Sequence, residues 1–289
     1  MRGAHRKAIM RISRQGLRLA AAGTLLLPAL VWGPARLRAA DAGQSLTSEQ
    51  KEEFLRNAHI EQEKDAKKGV TQTLRITLSD GKMTHDASVQ RINESKAVFQ
   101  AQDGTSEFNF KDTYKFNIAA WKLARLLGID DMTPPSVERK YRGDPAAFTW
   151  WVDDVLMDEE TRSKQKASAP NTDAWNQEMY VVRVFDQLIF NTDRNLTNLL
   201  IDKQWHIWMI DHSRAFRMRH DLRESKNLVQ CDRNLLAKMK TLDQATLKKE
   251  LTPYLNGEEI KGLLARRDAI VKFFEAKGES ALYNRPPRT

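Results

Sequence analysis

The sequence predicts an α+β protein whose first half mixes hairpins with two helices and whose second half is mostly helical. Two patterns carry that expectation. Apolar residues alternate with polar ones around Asp80-Gly81 and again between Ser136 and Val152, whereas they recur at helical spacing from Trp175 to Ile189 and from Asn234 to about Lys277. A third observation is a short hairpin expected between the two helical stretches, Leu199 to Ile201 and His206 to Ile210. There is no internal repeat.

The first residues read as an address. Arg2, Arg6, Lys7, Arg11, Arg14 and Arg18 precede an apolar run from Leu19 to Trp32, and the small-residue site Ala40-Asp41-Ala42 follows, which is the order of a secretory signal peptide over residues 1–42. Cleavage is expected after Ala42, with export to the periplasm or as a secreted protein. The run contains Gly23 and Pro28 and is shorter than the roughly 20 residues a spanning helix needs, so no stable membrane span is expected once the signal is removed. Residues 1–42 hold eight Arg or Lys against one acid, Asp41, so of the net charge of +9 only +2 belongs to residues 43–289. The basic balance therefore gives no indication of a nucleic-acid partner, and none is expected. The single cysteine, Cys231, excludes an intramolecular disulfide and reads as structural. Residues 43–289 suffice to bury a real core, as one two-lobed domain or two small ones.

Ser48 to Lys68 reads as a helix with Ser48 as N-cap, Gly69 as stop and a modest stripe of Phe54, Leu55 and Ala58. Leu74, Ile76 and Leu78 then alternate up to Asp80-Gly81, and Met83 to Ile92 returns as a hairpin. Asp112 is expected to cap a helix with Phe116, Ala119, Ala120, Leu123, Leu126 and Leu127 on one face and Gly128 at its end. Pro134-Pro135 closes that unit, and strands Ser136 to Tyr141 and Ala147 to Val152 follow around Arg142-Gly143-Asp144. Ser163 to Thr172 has no apolar period and reads as a linker or inserted loop.

The informative stretch runs from Phe185 to Phe216, where a helix enters a polar loop, the loop a hairpin, and the returning strand delivers an acid. With Asp202 to Trp205 as a four-residue turn, Ile201 faces His206 and Asn198 stands opposite Met209. Asp211 then overshoots Asn198 by two residues, roughly 7 Å along the strand and about 4.8 Å across to its neighbour. An amide oxygen and a carboxylate so placed can meet one hard cation, and magnesium prefers few protein oxygens with phosphate oxygens completing its shell. Asn198 and Asp211 are therefore the candidate metal ligands. Asp193, in the loop before them, is the candidate catalytic group, placed to orient or deprotonate an acceptor hydroxyl. Asp193 and Asn195 alone would fit an Asx-rich turn after a helix.

Asp193 with Asn198 five positions on and Asp211 beyond a hairpin resembles the catalytic loop and metal-binding Asp of kinases. Asn-Thr-Asp-Arg-Asn before Ile-Asp-His resembles the atypical branch that includes HipA-type kinases, phosphatidylinositol 3- and 4-kinases and secretory-pathway kinases. The match is sharp over residues 180–216 and looser over 71–153. The resemblance implies a two-lobed protein-kinase-like fold: a helical segment at 43–70, a small β-rich N-lobe at 71–155, a linker or insert at 156–175, and a mostly helical C-lobe at 176–289. It implies Mg2+ and ATP as cofactors and a protein or small-molecule hydroxyl as acceptor. Trp150 to Asp153 would fall at the hinge, whose backbone meets adenine, which makes Trp151 and Asp153 candidate nucleotide contacts. The positions that align with the kinase Lys and Glu pair hold Gln90, or Gln100 in a shifted alignment, and Asn117, all uncharged. No Gly-rich or Walker-type phosphate loop is present in the sequence, and Lys96, Lys111 or Lys115 are the alternative phosphate contacts. The implied function is Mg-dependent phosphotransfer. Gln90 and Asn117 favour a rival, a nucleotide-binding or non-catalytic pseudokinase module, and nucleotidyl (AMP) transfer is a third reading.

Other constellations fit less well. Asp211-His212-Ser213 cannot converge as a hydrolase triad on an extended segment, where neighbours point to opposite faces. His206 and His212 would lie about 20 Å apart along a strand, too far to share a metal. His85-Asp86 reads as a surface pair or a site contact, and the Trp150-Trp151 side chains as core and lobe packing.

Overall fold

The computed structural model describes residues 46–65, 73–100, 104 and 106–288. The expected signal peptide, its cleavage point and residues 43–45 and 66–72 lie outside the described residues. Thr47, rather than Ser48, caps the first helix, α1 (Ser48–Asn57): its side chain accepts from Gln50 N–H, and the Gln50 side chain accepts in return from Thr47 N–H. The helix expected to continue to Lys68 ends at Asn57. Ala58 turns extended and strand β1 (His59–Asp65) follows. The reason is tertiary. β1 pairs antiparallel with β2 (Leu74–Ser79) as the edge of a sheet, and the charged residues that read as helix formers suit an exposed edge.

β2 and β3 (Thr84–Gln90) make the expected Asp80-Gly81 hairpin, with Gly81 at φ 85° and Asp80 Oδ1 accepting from Lys82 and Met83 N–H. A second hairpin, β4 (Asn93–Gln100) with β5 (Ser106–Thr113), was not among the expected elements. β4 and the first half of β5 are mostly exposed, so apart from Phe108 and Phe110 the hairpin carries little apolar alternation to read. It also corrects the start of α2 (Lys115–Leu127): Asp112 is the next-to-last residue of β5, and the N-cap is Tyr114, whose side chain makes no capping bond among the described residues. Gly128, left-handed at φ 68°, ends α2 as expected. β6 (Ser136–Tyr141) and β7 (Asp144–Trp150) complete an antiparallel sheet in the order β1-β2-β3-β7-β6. α1 covers it, with Phe54 and Leu55 packed among Ile76, Leu78, Phe148 and Trp150.

The stretch 156–175, expected as a linker, holds two ordered elements and the start of a third: β8 (Val155–Asp158), α3 (Glu159–Gln165), capped by Asp158, and α4 (Thr172–Ile189). β8 pairs with β9 (Leu199–Asp202), and β9 with β10 (Ile207–Met209). A two-residue parallel pair, β11 (Cys231–Asp232) with β12 (Leu282–Tyr283), and the helices α5 (Arg233–Thr241), α6 (Gln244–Leu251) and α7 (Gly257–Lys277) complete the larger lobe. Its core joins Phe185 and Leu188 of α4 to Leu263, Ile270 and Phe274 of α7, and draws in Phe116, Leu123 and Leu127 of α2. At about 1.5–3 kcal/mol per large apolar side chain buried, that shared core fixes α2, and whatever α2 carries, against the larger lobe. Cys231 is fully buried there, and burial pushes its thiol up to about 12, which suits a packing role.

Arg266 ties α7 to the elements that bear the site. It is fully buried, donates to Leu188 O at 2.8 Å, Arg217 O at 2.9 Å and Arg219 O, and burial lowers its pKa to about 9. Gly262 lets this happen, because a Cβ there would sit 3.0 Å from both Arg219 O and Arg266 Nη1. Among the described residues, no helix is long and apolar enough to cross a membrane.

Candidate active site

α4 is stopped by Phe190, which is left-handed at φ 49° and donates back to Asp186 O and Gln187 O. A bulky residue in that region is strained, and such strain collects where surrounding structure holds a functional loop. The loop that follows is built on Asp186. Its carboxylate accepts from Asn191 Nδ2 at 3.0 Å and from Arg194 Nε at 2.9 Å. Arg194 Nη1 then donates to Asn198 O at 2.9 Å and Ile210 O at 2.8 Å, so one buried guanidinium holds the loop to the hairpin. Asn198 Nδ2 donates to Asp193 O at 3.2 Å, which orients the amide and leaves its oxygen as the acceptor on the other side.

The β9-β10 register corrects the expected one by a residue. Ile201 stands opposite Ile207, not His206, and Ile210 N–H bonds Asn198 O at 3.1 Å. The turn is one residue longer because Asp202 Oδ1 accepts from both Gln204 and His206 N–H, with Trp205 left-handed at φ 66°. Asp211 thus lies one residue, not two, beyond the position opposite Asn198. It too is left-handed, at φ 52°, a conformation that Asp and Asn tolerate better than most residues.

Asn198 and Asp211 line a cleft of about 530 Å³ between the five-stranded sheet and the β9-β10 hairpin. Gln90 and Asn117 line it as well, and they interact: Asn117 Nδ2 donates to Gln90 Oε1, Gln90 Nε2 makes a long contact of 3.4 Å to Asp211 Oδ1, and Asn117 Oδ1 accepts from His212 N–H at 2.7 Å. The amides of β3 and α2 therefore span the gap between the lobes and end on Asp211. Gln100 is the last residue of the exposed β4 and is not part of this chain of bonds. Trp151 lines the cleft, with its N–H bonded to Asp86 O at 3.1 Å. Asp153 does not line it. Its carboxylate is turned to His85, 2.9 Å from Nε2, and is two-thirds exposed. His85 is itself buried and stacked on Trp150 at 3.6 Å, and Asp86 is bonded to Arg75 and Thr77, so neither is a surface pair. Of the alternative lysines, Lys111 pairs with Glu259 and Lys96 with Glu94. Among the described residues lining the cleft there is no Lys or Arg.

Asp193 is half-buried beside the cleft rather than in its lining. Burial raises its pKa; Arg214 opposes the rise and the charge of Asp211 adds to it. One further carboxylate, Asp112, joins the two. The bond from Thr113 N–H to Ser213 O, 3.0 Å, brings the end of β5 beside the chain after Asp211. Asp112 is buried, its Oδ1 has no partner among the described residues, and burial and then the charge of Asp211 raise its pKa against a hydrogen bond from Ser213. The sequence reading took Asp112 for a helix cap, and only the unread β4-β5 hairpin places it here. Arg214, which follows Asp211 by three residues, bonds Glu107 of the same hairpin at 2.9 Å.

The raised carboxylates carry a stability cost with a definite sign. A group whose native pKa is raised is less readily ionised in the fold, so stability falls as pH climbs from the unfolded value, about 3.9, through the native one. Asp112→Asn is therefore expected to raise Tm by a few degrees at pH 7 to 8, with the gain shrinking towards pH 4. A scan of Tm against pH for both proteins checks this.

Two lobes, a β-rich sheet and a helical body, with a cleft between them and the loop-hairpin unit on its floor, define an atypical kinase-like fold. Hydra Fam20, solved with a sugar, superposes with a TM-score of 0.60 at 16% identity, covering 82% of this chain and 92% of that one. The Helicobacter pylori proinflammatory kinase CtkA gives a TM-score of 0.46 at 11% identity, covering 75% and 93%. No protein-family model matches the sequence, and no curated protein matches it significantly.

Proposed function

We propose that the protein is a Mg-dependent phosphotransferase of the atypical kinase type, taking ATP in the cleft and transferring to a hydroxyl on a protein or small molecule. The observation that carries this reading is the convergence of Asn198 and Asp211 on one cleft, one residue apart in register, with Asp193 beside it. The donor set fits magnesium: one amide oxygen and one carboxylate are hard ligands that leave room for phosphate oxygens. When bound, the ion would neutralise charge on the transferring group. Asp193 would orient the acceptor hydroxyl and hold its proton, a task that a pKa raised by burial suits. The hinge would meet the base through Trp151 O and Val152, because Trp151 N–H is already bonded. Export, which rests on residues 1–42, would place this chemistry outside the cytoplasm.

A second reading is favoured by one observation. The Gln90-Asn117 pair is neutral and the described cleft lining has no Lys or Arg, which suits a module that binds nucleotide and does not turn it over. Both readings make the metal the main positive charge facing the phosphates. Thermal unfolding of the full chain should thus shift upward with Mg-ATP and little with ATP in EDTA, where polyphosphate would face Asp211 and Asp193 unneutralised. At a hundred times Kd the stabilisation should approach about 2.7 kcal/mol. Transfer of labelled phosphate to the protein or a hydroxyl acceptor separates the two readings. Equal shifts with and without metal would remove both metal assignments.

A further inference from the structure

Residues 282–288 lie along one side of the larger lobe and are held there by two arginine forks. Tyr283 OH donates to Gln177 O at 2.5 Å, and Arg285 N–H to Asp232 Oδ1 at 2.9 Å. Arg285 grips Asp131 with both terminal nitrogens, at 2.7 and 2.8 Å. Arg288 grips Glu178 of α4 through Nε and Nη2, at 2.9 and 2.8 Å, and the same guanidinium donates to Ile207 O at 2.6 Å and to Asp131 O. Glu178 completes the knot by accepting from Ile207 N–H at 2.6 Å. Each arginine side chain is 10% exposed.

What these bonds join is informative. Asp131 belongs to the 3-10 turn Asp130–Met132, immediately before Thr133, Pro134 and Ser136, which form one part of the cleft lining. Ile207 opens β10, whose continuation through Met209, Ile210 and Asp211 forms another. Glu178 lies on the helix that runs into the loop of Asp193. A planar guanidinium with fixed donor directions sets the spacing of three acceptors in a way a flexible ammonium cannot. We propose that segment 282–288 is a strap that sets the separation of these parts of the cleft, with Arg288 as a positioning residue for the site. Its consequence for nucleotide rests on the function proposed above.

The test uses the full chain as wild type, Arg288→Lys, Arg288→Ala, and Arg288→Ala with Glu178→Gln. Arg288→Ala alone leaves a buried carboxylate unpaired and loses stability for that reason; the double variant removes that charge, and Arg288→Lys keeps the pairing charge without the fork. Amide hydrogen exchange of the ligand-free proteins should quicken at least tenfold in residues 131–133, 136 and 207–211 in all three variants and stay unchanged in α6. Calorimetry should show Mg-ATP affinity weakened by roughly 5- to 150-fold, the range of ordinary coupling between sites, even in the double variant whose Tm has recovered. If exchange around the cleft returns to the wild-type rate together with Tm, or never changes, Arg288 only stabilises the fold and the proposal is overturned. If wild type binds no nucleotide under any metal condition, the proposed function falls, and the exchange rates alone decide the strap.

Discussion

Asp211→Asn is expected to weaken Mg-ATP binding by roughly 100-fold or more, while Asp193→Asn leaves binding near wild type and lowers phosphoryl transfer by about 10²–10⁴-fold. The split follows from position. Asp211 lines the cleft at the end of β10 with Asn198 one residue away in register, so removing its charge weakens the shell of a bound cation. Even groups that only orient metal ligands cost roughly 10–100-fold when changed, which makes 100-fold a modest expectation for a ligand itself. Asp193 is not in the cleft lining and is held by its loop through Asn191 and Asn198, so its loss should be felt at the acceptor. Asn is the right replacement in both cases. It is nearly isosteric, and at Asp211 it tolerates the left-handed backbone that Ala would strain. Calorimetric titration with Mg-ATP, beside single-turnover transfer, decides the matter. Loss of binding in Asp193→Asn with binding intact in Asp211→Asn would reverse the roles.

The second large effect is a gain. Gln90→Lys with Asn117→Glu should supply a cation that the described cleft lining lacks and raise Mg-ATP affinity or turnover by about tenfold or more. The single loss of a donor aimed at developing charge typically costs roughly 10²–10³-fold, and the supply of one is expected to recover part of that. The geometry favours the exchange because the two side chains already touch and Gln90 already reaches Asp211. Asn117 Oδ1 accepts from His212 N–H, and a Glu carboxylate can take over that bond while pairing with the new ammonium. Gln90→Lys alone should do less, since position 90 is buried and an ammonium there without its carboxylate is poorly compensated. If the double variant folds and binds nucleotide more weakly, the amides have a role of their own, and the neutral pair is a feature of the ligand this cleft takes.

How much of the site was legible in the sequence depended on how local its signals were. Asp193, Asn198 and Asp211 lie within one helix-loop-hairpin unit, where period and register constrain neighbours, and the only slip was a turn one residue longer because Asp202 folds it on its own carboxylate. Gln90 and Asn117 were reached by alignment of position, and their contact with each other and with Asp211 is across the lobes. Asp153 aligns with the hinge, but its neighbour in space is His85, on β3, the strand paired with β7.

The elements that went unread share a cause. β1 has the composition of a helix and is a strand because β2 offers it an edge. β4 and the first half of β5 are mostly exposed and so write little period into the sequence, yet the hairpin is what brings Asp112 to the site. By itself the sequence determined the α+β class, the helical stretches of the second half and the loop-hairpin unit, because burial of one face writes a period into local residues. Only the tertiary structure decided which carboxylates share one field, which amides stand where a charged pair might, and what the arginines near residue 288 hold, because each of those is a contact between residues far apart in the chain and leaves no period in it.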